Sequence, residues 1–448
     1  MDAVAIERLH YAPLGRLTSS VSVCPTLRQL SIRLRDAAGK LSQALWQTPG
    51  MPHVLTLNGG SSSIRFSVCN GRDTSKLVSG KIERMGTPDA SMTVDDLRQG
   101  GKKQTNTAVD VGDHRSAGVF LLDWLASQSL FESIGAVGHR VVHGMQHSSP
   151  ERITPDLVSE LKAIKPYDPE HLPSEIELIE LVGKRLAKLP QVACFDTAFH
   201  RHMPRQATLL PIPRRYFAKG VQRYGFHGLS YTYLMEELAR LGDAAATRGR
   251  VILAHLGNGA SLAAVLDGTS VDTSMGFTPT AGLVMSSRSG DLDPGLVSFL
   301  AATESMDAAR FERMVTHESG LLGISETSSD IRDLLEKENT DVRAAEAVTV
   351  FCYQVKKWIG AFAAALGGVD TVVFAGGIGE NASVVRSRIC EGLGFLGIDL
   401  DPAANERSAA VISKGRVAVR VIRTDEESVI ASSTLRVLGW GARAEVGG

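Results

Sequence analysis

The chain has 448 residues, 43% of them hydrophobic, with a net charge of −1. That is enough to bury large cores in two or more domains, and too balanced for broad binding to nucleic acid or a membrane surface. Cys24, Cys69, Cys194, Cys352 and Cys390 are scattered, odd in number and without CxxC spacing. They exclude a disulfide scaffold or zinc cluster and point to reduced thiols in a cytoplasmic protein, and no apolar run is long enough to span a bilayer.

Residues 1–51 read as an extension outside the core fold. Arg8, Arg16, Arg28, Arg33, Arg35 and Lys40 outnumber Asp2, Glu7 and Asp36, and Leu27, Leu30, Leu34, Leu41 and Leu45 fall at helical spacing. A transit-like segment fits, and so does a tail added by an upstream start, since Met51-Pro52 directly precedes the first core strand. From His53, the apolar run Val54, Leu55, Leu57 meets Asn58-Gly59-Gly60-Ser61-Ser62-Ser63, and Ile64, Phe66 and Val68 then alternate with Arg65 and Ser67. This predicts a β-hairpin whose turn holds more glycine and hydroxyl than chain reversal needs, a composition suited to an anion. A polar, glycine-rich loop follows from Gly71 to Asp113. Next come a helix at about 115–129, a strand from Ile134 to Val142, a helix opened by Pro173-Ser174-Glu175, and a strand from Val192 to Phe195 ending at Asp196.

The proline-rich stretch from Met203 to Pro213 reads as the crossing between two α/β domains, 52–203 and 204–427, with about 428–448 returning to complete the first. Val251 to Gly268 repeats the hairpin design around His255-Leu256-Gly257-Asn258-Gly259, so the two halves are expected to be built alike. A long helix spans about 341–366, with Asp341 as its cap and Gly367-Gly368 as its stop. A third glycine turn, Thr371 to Asn381, leaves a strand and opens a helix at Asn381-Ala382-Ser383. The chain ends in a strand, an acidic turn at Asp425-Glu426-Glu427, and a helix. Three glycine turns of this kind suggest a nucleotide.

Asn58, Arg140, Asp196, His227, Asn258, Arg288 and Glu426 each follow an apolar run or lie in a glycine-rich turn, where α/β proteins place their sites. Two arginines beside a glycine cradle suit a phosphoryl group, and asparagine with carboxylates suits hydrated magnesium. The set reads as phosphoryl transfer. The absence of GxxxxGK[ST], and of HRD and DFG motifs, excludes P-loop and protein-kinase chemistry. Taken singly, each residue has a plainer reading: Asp196 and Asp330 as helix caps, the histidines as core residues, Asp425 to Glu427 as a solvated turn.

The ordered motifs LNGGSSSIRF, HRVVHG, FDTAFH, YGFHG, HLGNGAS, DTSMGFTP, RSGDLDPG, SSDIRD, AGGIGEN and TDEE resemble those of the acetate kinases, of the acetokinase family. The resemblance runs from about His53 to the C-terminus. It implies an α/β fold of two similar domains of the actin-like ATPase (ribonuclease H-like) type, with a nucleotide cleft between them. It also implies reversible, magnesium-dependent phosphoryl transfer between ATP and acetate, giving acetyl phosphate and ADP, in a homodimer; manganese could replace magnesium.

By position, Asn58 and Glu426 resemble the magnesium-site residues, and Arg65 a basic residue near the ATP phosphates. Arg140 and Arg288 resemble the arginines on the carboxylate and the transferring group. Asp196 matches the catalytic acid and His227 the transition-state stabiliser. His255, Leu256, Gly257, Asn258, Gly259, Asp330, Ile331, Arg332, Gly377, Ile378, Gly379, Glu380 and Asn381 match nucleotide-binding segments. Val142, Phe226 and Pro279 fall where an acyl-methyl pocket is expected, shared with Arg140 as substrate contacts. Because a carboxylate substrate is already ionised near neutral pH, Asp196 is expected to orient an arginine or a metal-bound water rather than move a proton.

The chain also departs from the family. Where PLHNPxHL is usual, it reads Pro166-Tyr167-Asp168-Pro169-Glu170-His171-Leu172, without the phosphoryl-facing histidine. Tyr167 or His171 would have to take that place. YGFHGTSH has become YGFHGLSY, with Leu229 and Tyr231, and the small Thr280 and Ala281 follow Pro279. That last change leaves room for a longer acid, as in a propionate or butyrate kinase. A nucleotide-binding relative with weakened catalysis is the other alternative.

Overall fold

The structure, a computed structural model, describes residues 51–60, 63–98 and 103–440; the expected extension, Met51 apart, lies outside them. Two mixed sheets organise the chain. In the first, β1 (His53–Gly59) and β2 (Ser63–Cys69) form the expected antiparallel hairpin. β3 (Lys76–Glu83), β4 (Ser91–Asp96) and β5 (Lys103–Ala108) extend it as a meander. The sequence reading placed a loop there, and the structure corrects it. β5 has the sequence KQTNTA with every residue exposed, and β3 buries only Val78 and Ile82, so these outer strands lack the apolar alternation that signals a strand.

On the other side of β1 lie the parallel strands β6 (Ile134–Val141) and β8 (Gln191–Phe195), with the two-residue β7 (Glu151–Arg152) at the edge. The second sheet comprises β9 (Arg250–Leu256), β10 (Ala260–Leu266), β11 (Thr269–Thr273), β12 (Thr371–Ala375) and β13 (Ala418–Val421), ordered β11-β10-β9-β12-β13. The inner strands of the first sheet, β3-β2-β1-β6-β8, have the same plan: an antiparallel meander of three, then two parallel strands. The repeated hairpin thus seeds two sheets of one topology.

The helices that bear on the site are α1 (His114–Ala126), α2 (Leu172–Arg185), α3 (Gly228–Arg240), α4 (Gly295–Glu304), α5 (Val342–Ala365), α6 (Gly376–Asn381) and α7 (Glu426–Val437). Alternation along the strands feeds both faces of each sheet. Leu55, Leu57, Phe66 and Val68 meet Leu121 and Leu125 of α1 and Leu178 and Val182 of α2. On the opposite face Val54 and Cys69 meet Ala431 and Leu435 of α7, so the last helix returns to the first sheet. In the second sheet Ile252 and Ala254 pack on Phe351, Val355 and Ile359 of α5, while Val251 and Leu253 pack on Leu234 and Leu238 of α3.

α5 begins at its Asp341 cap and stops at Gly367 and Gly368, both at positive φ. Two endings differ from expectation. Gly376–Asn381 is itself helical because Glu380 Oε1 folds back to accept from the Gly376 N–H at 3.0 Å. Glu426 and Glu427 form the first turn of α7, with Asp425 capping the Ser428 N–H at 3.0 Å. Among the described residues, no helix is long and apolar enough to cross a membrane.

Candidate active site

Parallel pairing of β1, β6 and β8 brings their C-terminal ends together, which places Asn58, Arg140 and Asp196 at one edge of the sheet. Arg140 donates from Nε and Nη2 to Asp196 Oδ2 at 3.0 and 2.6 Å, and from Nη1 to the Gly59 carbonyl at 3.0 Å and Asn58 Oδ1 at 3.5 Å. Asn58 Nδ2 donates to Glu426 Oε2 at 2.7 Å, linking the first hairpin to the start of α7. Gly228 lets α3 come this close. A Cβ there would lie 1.9 Å from the Asp196 carbonyl oxygen, so no other residue fits without moving the aspartate.

Burial works against the Arg140 charge, but Asp196, Glu426 and Glu175 around it outweigh that and hold its pKa above the ordinary value. The Glu426 carboxyl is raised by burial and by repulsion from Asp196 and Glu427, against the pull of Arg140 and Arg65. Asp196 Oδ1 is buried without a hydrogen-bond partner. No three His, Cys, Asp or Glu side chains among the described residues converge into a ready-made metal cluster. An unpartnered aspartate oxygen beside the Glu426 carboxyl, whose charged form burial disfavours, is nonetheless a donor set that a largely hydrated divalent cation would satisfy.

His227 and Arg288 form a second wall. His227 caps α3 in the left-handed region, φ +60°, uncommon for a residue with a Cβ. Its ring stacks on His255 at 4.4 Å, and its Nε2 lies 3.1 Å from where a Gly259 Cβ would sit, with Arg288 Nη1 at 3.7 Å from the same point. His227 Nδ1 is 2.8 Å from Ser261 Oγ, which also bonds the buried Tyr231 hydroxyl. Among the described residues Tyr231 bonds no other group, and the arrangement that satisfies all three groups places its hydrogen on Ser261. The serine hydrogen then goes to Nδ1, which leaves the His227 proton on Nε2, toward Gly259 and Arg288. The ring is neutral: burial, then His255, Arg140 and Arg288, hold its pKa well below the usual value. His255 is likewise lowered to about 4 by burial, and its Nδ1 pairs with Ser230 Oγ at 2.8 Å. Burial also lowers Arg288, against the pull of Glu170 and Asp168.

The glycine segments of the second sheet adjoin this wall. A Cβ on Gly257 would lie 3.8 Å from the Gly377 N, and the Ser286 N–H donates to the Asn258 carbonyl at 3.1 Å. Asn258, Gly377 and Asn381 are exposed, and Gly259 and Gly379 complete the two turns. Leu256, Ile331 and Ile378 bury their side chains in the core, so only their backbones can meet a ligand. The Glu380 side chain faces inward, accepting from the Gly376 and Thr424 N–H groups. Arg65 is exposed on β2 opposite Asn58. Asp330 caps the helix Ile331–Lys337 through the Arg332 N–H and pairs with the Arg332 guanidinium. Among the described residues, no hydrogen bond or ion pair joins that pair to the other site residues.

Val142 and Phe226 are buried, and the Pro279 carbonyl accepts from Arg288 Nη1 at 3.2 Å. In the altered loop both candidate substitutes are already engaged: the Tyr167 hydroxyl donates to the Lys219 carbonyl at 2.7 Å, and His171 Nδ1 pairs with Asp168 Oδ1 at 3.1 Å. Sequence reasoning missed Glu175, whose Oε2 accepts from the Val142 N–H at 3.0 Å, as well as the supporting roles of Ser261 and Tyr231. Tyr231 was visible as a departure from the motif. Glu175 carried no signal, because it reads as an ordinary acidic residue in the first turn of a helix.

Residues 53–432 match the model of the acetokinase family. The chain is 39% identical over 398 residues to the acetate kinase of Oceanobacillus iheyensis, covering 87% of this chain and 99% of that protein. The crystal structure of Porphyromonas gingivalis acetate kinase superposes with a TM-score of 0.77 at 37% identity, and that of a propionate kinase from Francisella tularensis with 0.81 at 35%. Each pairing covers 86% of this chain and 100% of the other. With two sheets of one topology and relatives matched over nearly their full length, the chain belongs to the acetokinase family.

Proposed function

We propose that the protein is an acetate kinase, transferring the γ-phosphoryl group of ATP reversibly to acetate. The observation that carries this reading is the Arg140–Asp196 pair, set between the Asn58–Glu426 contact and the His227–Arg288 wall. An acetate oxygen attacks the γ-phosphorus in line as the bond to the β–γ bridging oxygen breaks. Arg140, oriented by Asp196, holds the carboxylate. Arg288 and the His227 Nε2–H donate to the equatorial phosphoryl oxygens. Asn58 and Glu426 would hold magnesium, with Asp196 Oδ1 open to one of its waters, and the ion when bound would supply charge neutralisation for the phosphates. The Gly257–Gly259 and Gly376–Asn381 segments receive the nucleotide, with Asp330 to Arg332 and Arg65 at its margins. Val142, Phe226 and Pro279 enclose the methyl group. On this reading the chain forms two domains, about 52–203 (completed by about 428–448) and 204–427, a division that the two sheets of like topology support, with closure between them excluding water so that ATP is not hydrolysed. The enzyme acts in the cytoplasm as a homodimer, and α4, none of whose residues is buried, is its seat.

A hydroxylamine trap for acyl phosphate tests the reading. With Mg-ATP and acetate, propionate or butyrate in separate reactions, hydroxamate is expected to form fastest from acetate. Thr280 and Ala281, half-buried beside Pro279, support the second reading, a preference for a longer acid, and the same series detects it. No hydroxamate from any acid would overturn both.

A further inference from the structure

Glu175 lies three residues into α2, just beyond the loop in which this chain departs from its family. Its side chain turns inward and is 4% exposed. Oε2 accepts from the Val142 N–H at 3.0 Å, and Cγ lies 3.9 Å from where a Gly59 Cβ would sit. Gly59 is the residue whose carbonyl receives Arg140 Nη1. One side chain therefore bonds the backbone beside the acyl pocket and lies beside the turn that anchors the carboxylate-binding arginine. Its second oxygen, Oε1, is buried with no hydrogen-bond partner, a costly arrangement that a merely structural carboxyl would avoid.

We propose that Glu175 is a positioning residue for the acid substrate, setting the place of the carboxylate through Val142 and through Arg140. This rests on the reading of Arg140 and Val142 as the acid site. The groups facing it are Asp168 from the preceding loop, Arg140 and the Val142 N–H from β6 and its end, Asp196 after β8, and the Gly59 turn. Burial, with Asp168 and Asp196 adding to it, outweighs Arg140 and the Val142 N–H and pushes the carboxyl up to about 8. In neutral solution it is therefore an uncharged acid behind Arg140. Above pH 8 it becomes a further carboxylate competing with the substrate for that guanidinium, beside Asp196.

Ligand-observed NMR titration of acetate in the presence of Mg-ADP, at pH 7 and pH 9, tests this on the wild type and on Glu175→Gln, Glu175→Ala and Arg140→Ala. Acetate itself is ionised at both pH values. The wild type is expected to bind acetate several-fold more weakly at pH 9. Glu175→Gln, unable to ionise, abolishes that pH dependence. Glu175→Ala weakens acetate about tenfold at pH 7, a loss of one Val142 hydrogen bond, while ADP affinity stays within about twofold and reports an intact fold. If Glu175→Gln keeps the pH dependence, or Glu175→Ala binds acetate like the wild type while Arg140→Ala does not, the proposal fails and the acid-site reading stands. If Arg140→Ala also binds like the wild type, the acid site itself is wrong and the proposal falls with it.

Discussion

At the scale of single residues, burial and neighbouring charge set the state of the groups at the site, holding Arg140 charged and the His227 ring neutral. A histidine in water near neutral pH mixes two tautomers and a cation. The relay that satisfies His227, Ser261 and Tyr231 among the described residues runs from the Tyr231 hydroxyl to Ser261 and from Ser261 to Nδ1, which selects one neutral tautomer of His227. The side chain thereby becomes a fixed Nε2–H donor. Tyr231→Phe removes the first link and frees the serine to rotate. Such a loss, on the order of 1 kcal/mol, should lower kcat about five- to tenfold while the KM for acetate stays within about twofold. The tautomer shift should be visible in the 15N resonances of the ring. An unchanged kcat with unchanged ring resonances would show that the relay does not set the tautomer. Asn58, Arg140, Asp196, Arg288 and Glu426 were legible as strand-end residues of the right chemistry. Which of them touch was not, because that depends on strand register: only the pairing of β6 with β8 sets Arg140 beside the end that presents Asp196.

At the scale of elements, legibility followed burial. The two hairpins stood out because apolar strands flank a glycine turn, and α5 because an apolar stripe runs between a cap and paired glycines. The outer strands did not, since β5 is exposed throughout, β3 buries only Val78 and Ile82, and β4 offers only Met92 and Val94 as an alternating pair, and α6 did not, since glycine disfavours helix by about 1 kcal/mol per residue. A buried side chain supports it instead: Arg386, fully enclosed, donates to the Gly379 carbonyl at 2.8 Å. α4 is the opposite case. Its sequence GLVSFLAATE is largely apolar, yet none of its residues is buried, with Val297 at 44% and Phe299 at 60% exposure. An exposed apolar helix face of this kind suits an interface, and a second copy is the occupant proposed for it. Sedimentation at micromolar concentration should give twice the 47.9 kDa chain mass for the wild type and the single chain for Phe299→Glu. A monomeric wild type would remove the homodimer, and a dimeric Phe299→Glu would move its seat to another surface.

At the scale of the whole molecule, the buried titratable groups set how stability depends on pH. His139, His143, His200 and His255 are lowered to about 4, and His227 well below its usual value, burial being the largest cause in each. Unfolded, each would titrate near 6.5. Between about pH 4 and 6.5 the unfolded chain therefore binds protons that the folded chain refuses. Stability is full above 6.5 and is lost as pH falls toward 4, by on the order of 3 kcal/mol for each of the four histidines lowered to about 4, with His227 acting in the same direction. Glu175 runs the other way. Its folded value of about 8 lies above the ordinary carboxylate range, so the folded chain keeps a proton that the unfolded chain releases, and stability falls as pH rises from about 4.5 to 8. Glu426, also raised, adds to that side. The histidines outnumber these carboxyls, so the net slope below pH 6.5 is theirs and the stability maximum should fall near pH 6.5 to 7. Calorimetric unfolding at pH 5.5, in buffers of different ionisation heat, should show a net uptake of roughly two to four protons per chain. Glu175→Gln should raise that uptake by about one. A net release, or no exchange, would mean that the buried rings already carry charge in the folded protein, and His227 could not then serve as a neutral donor.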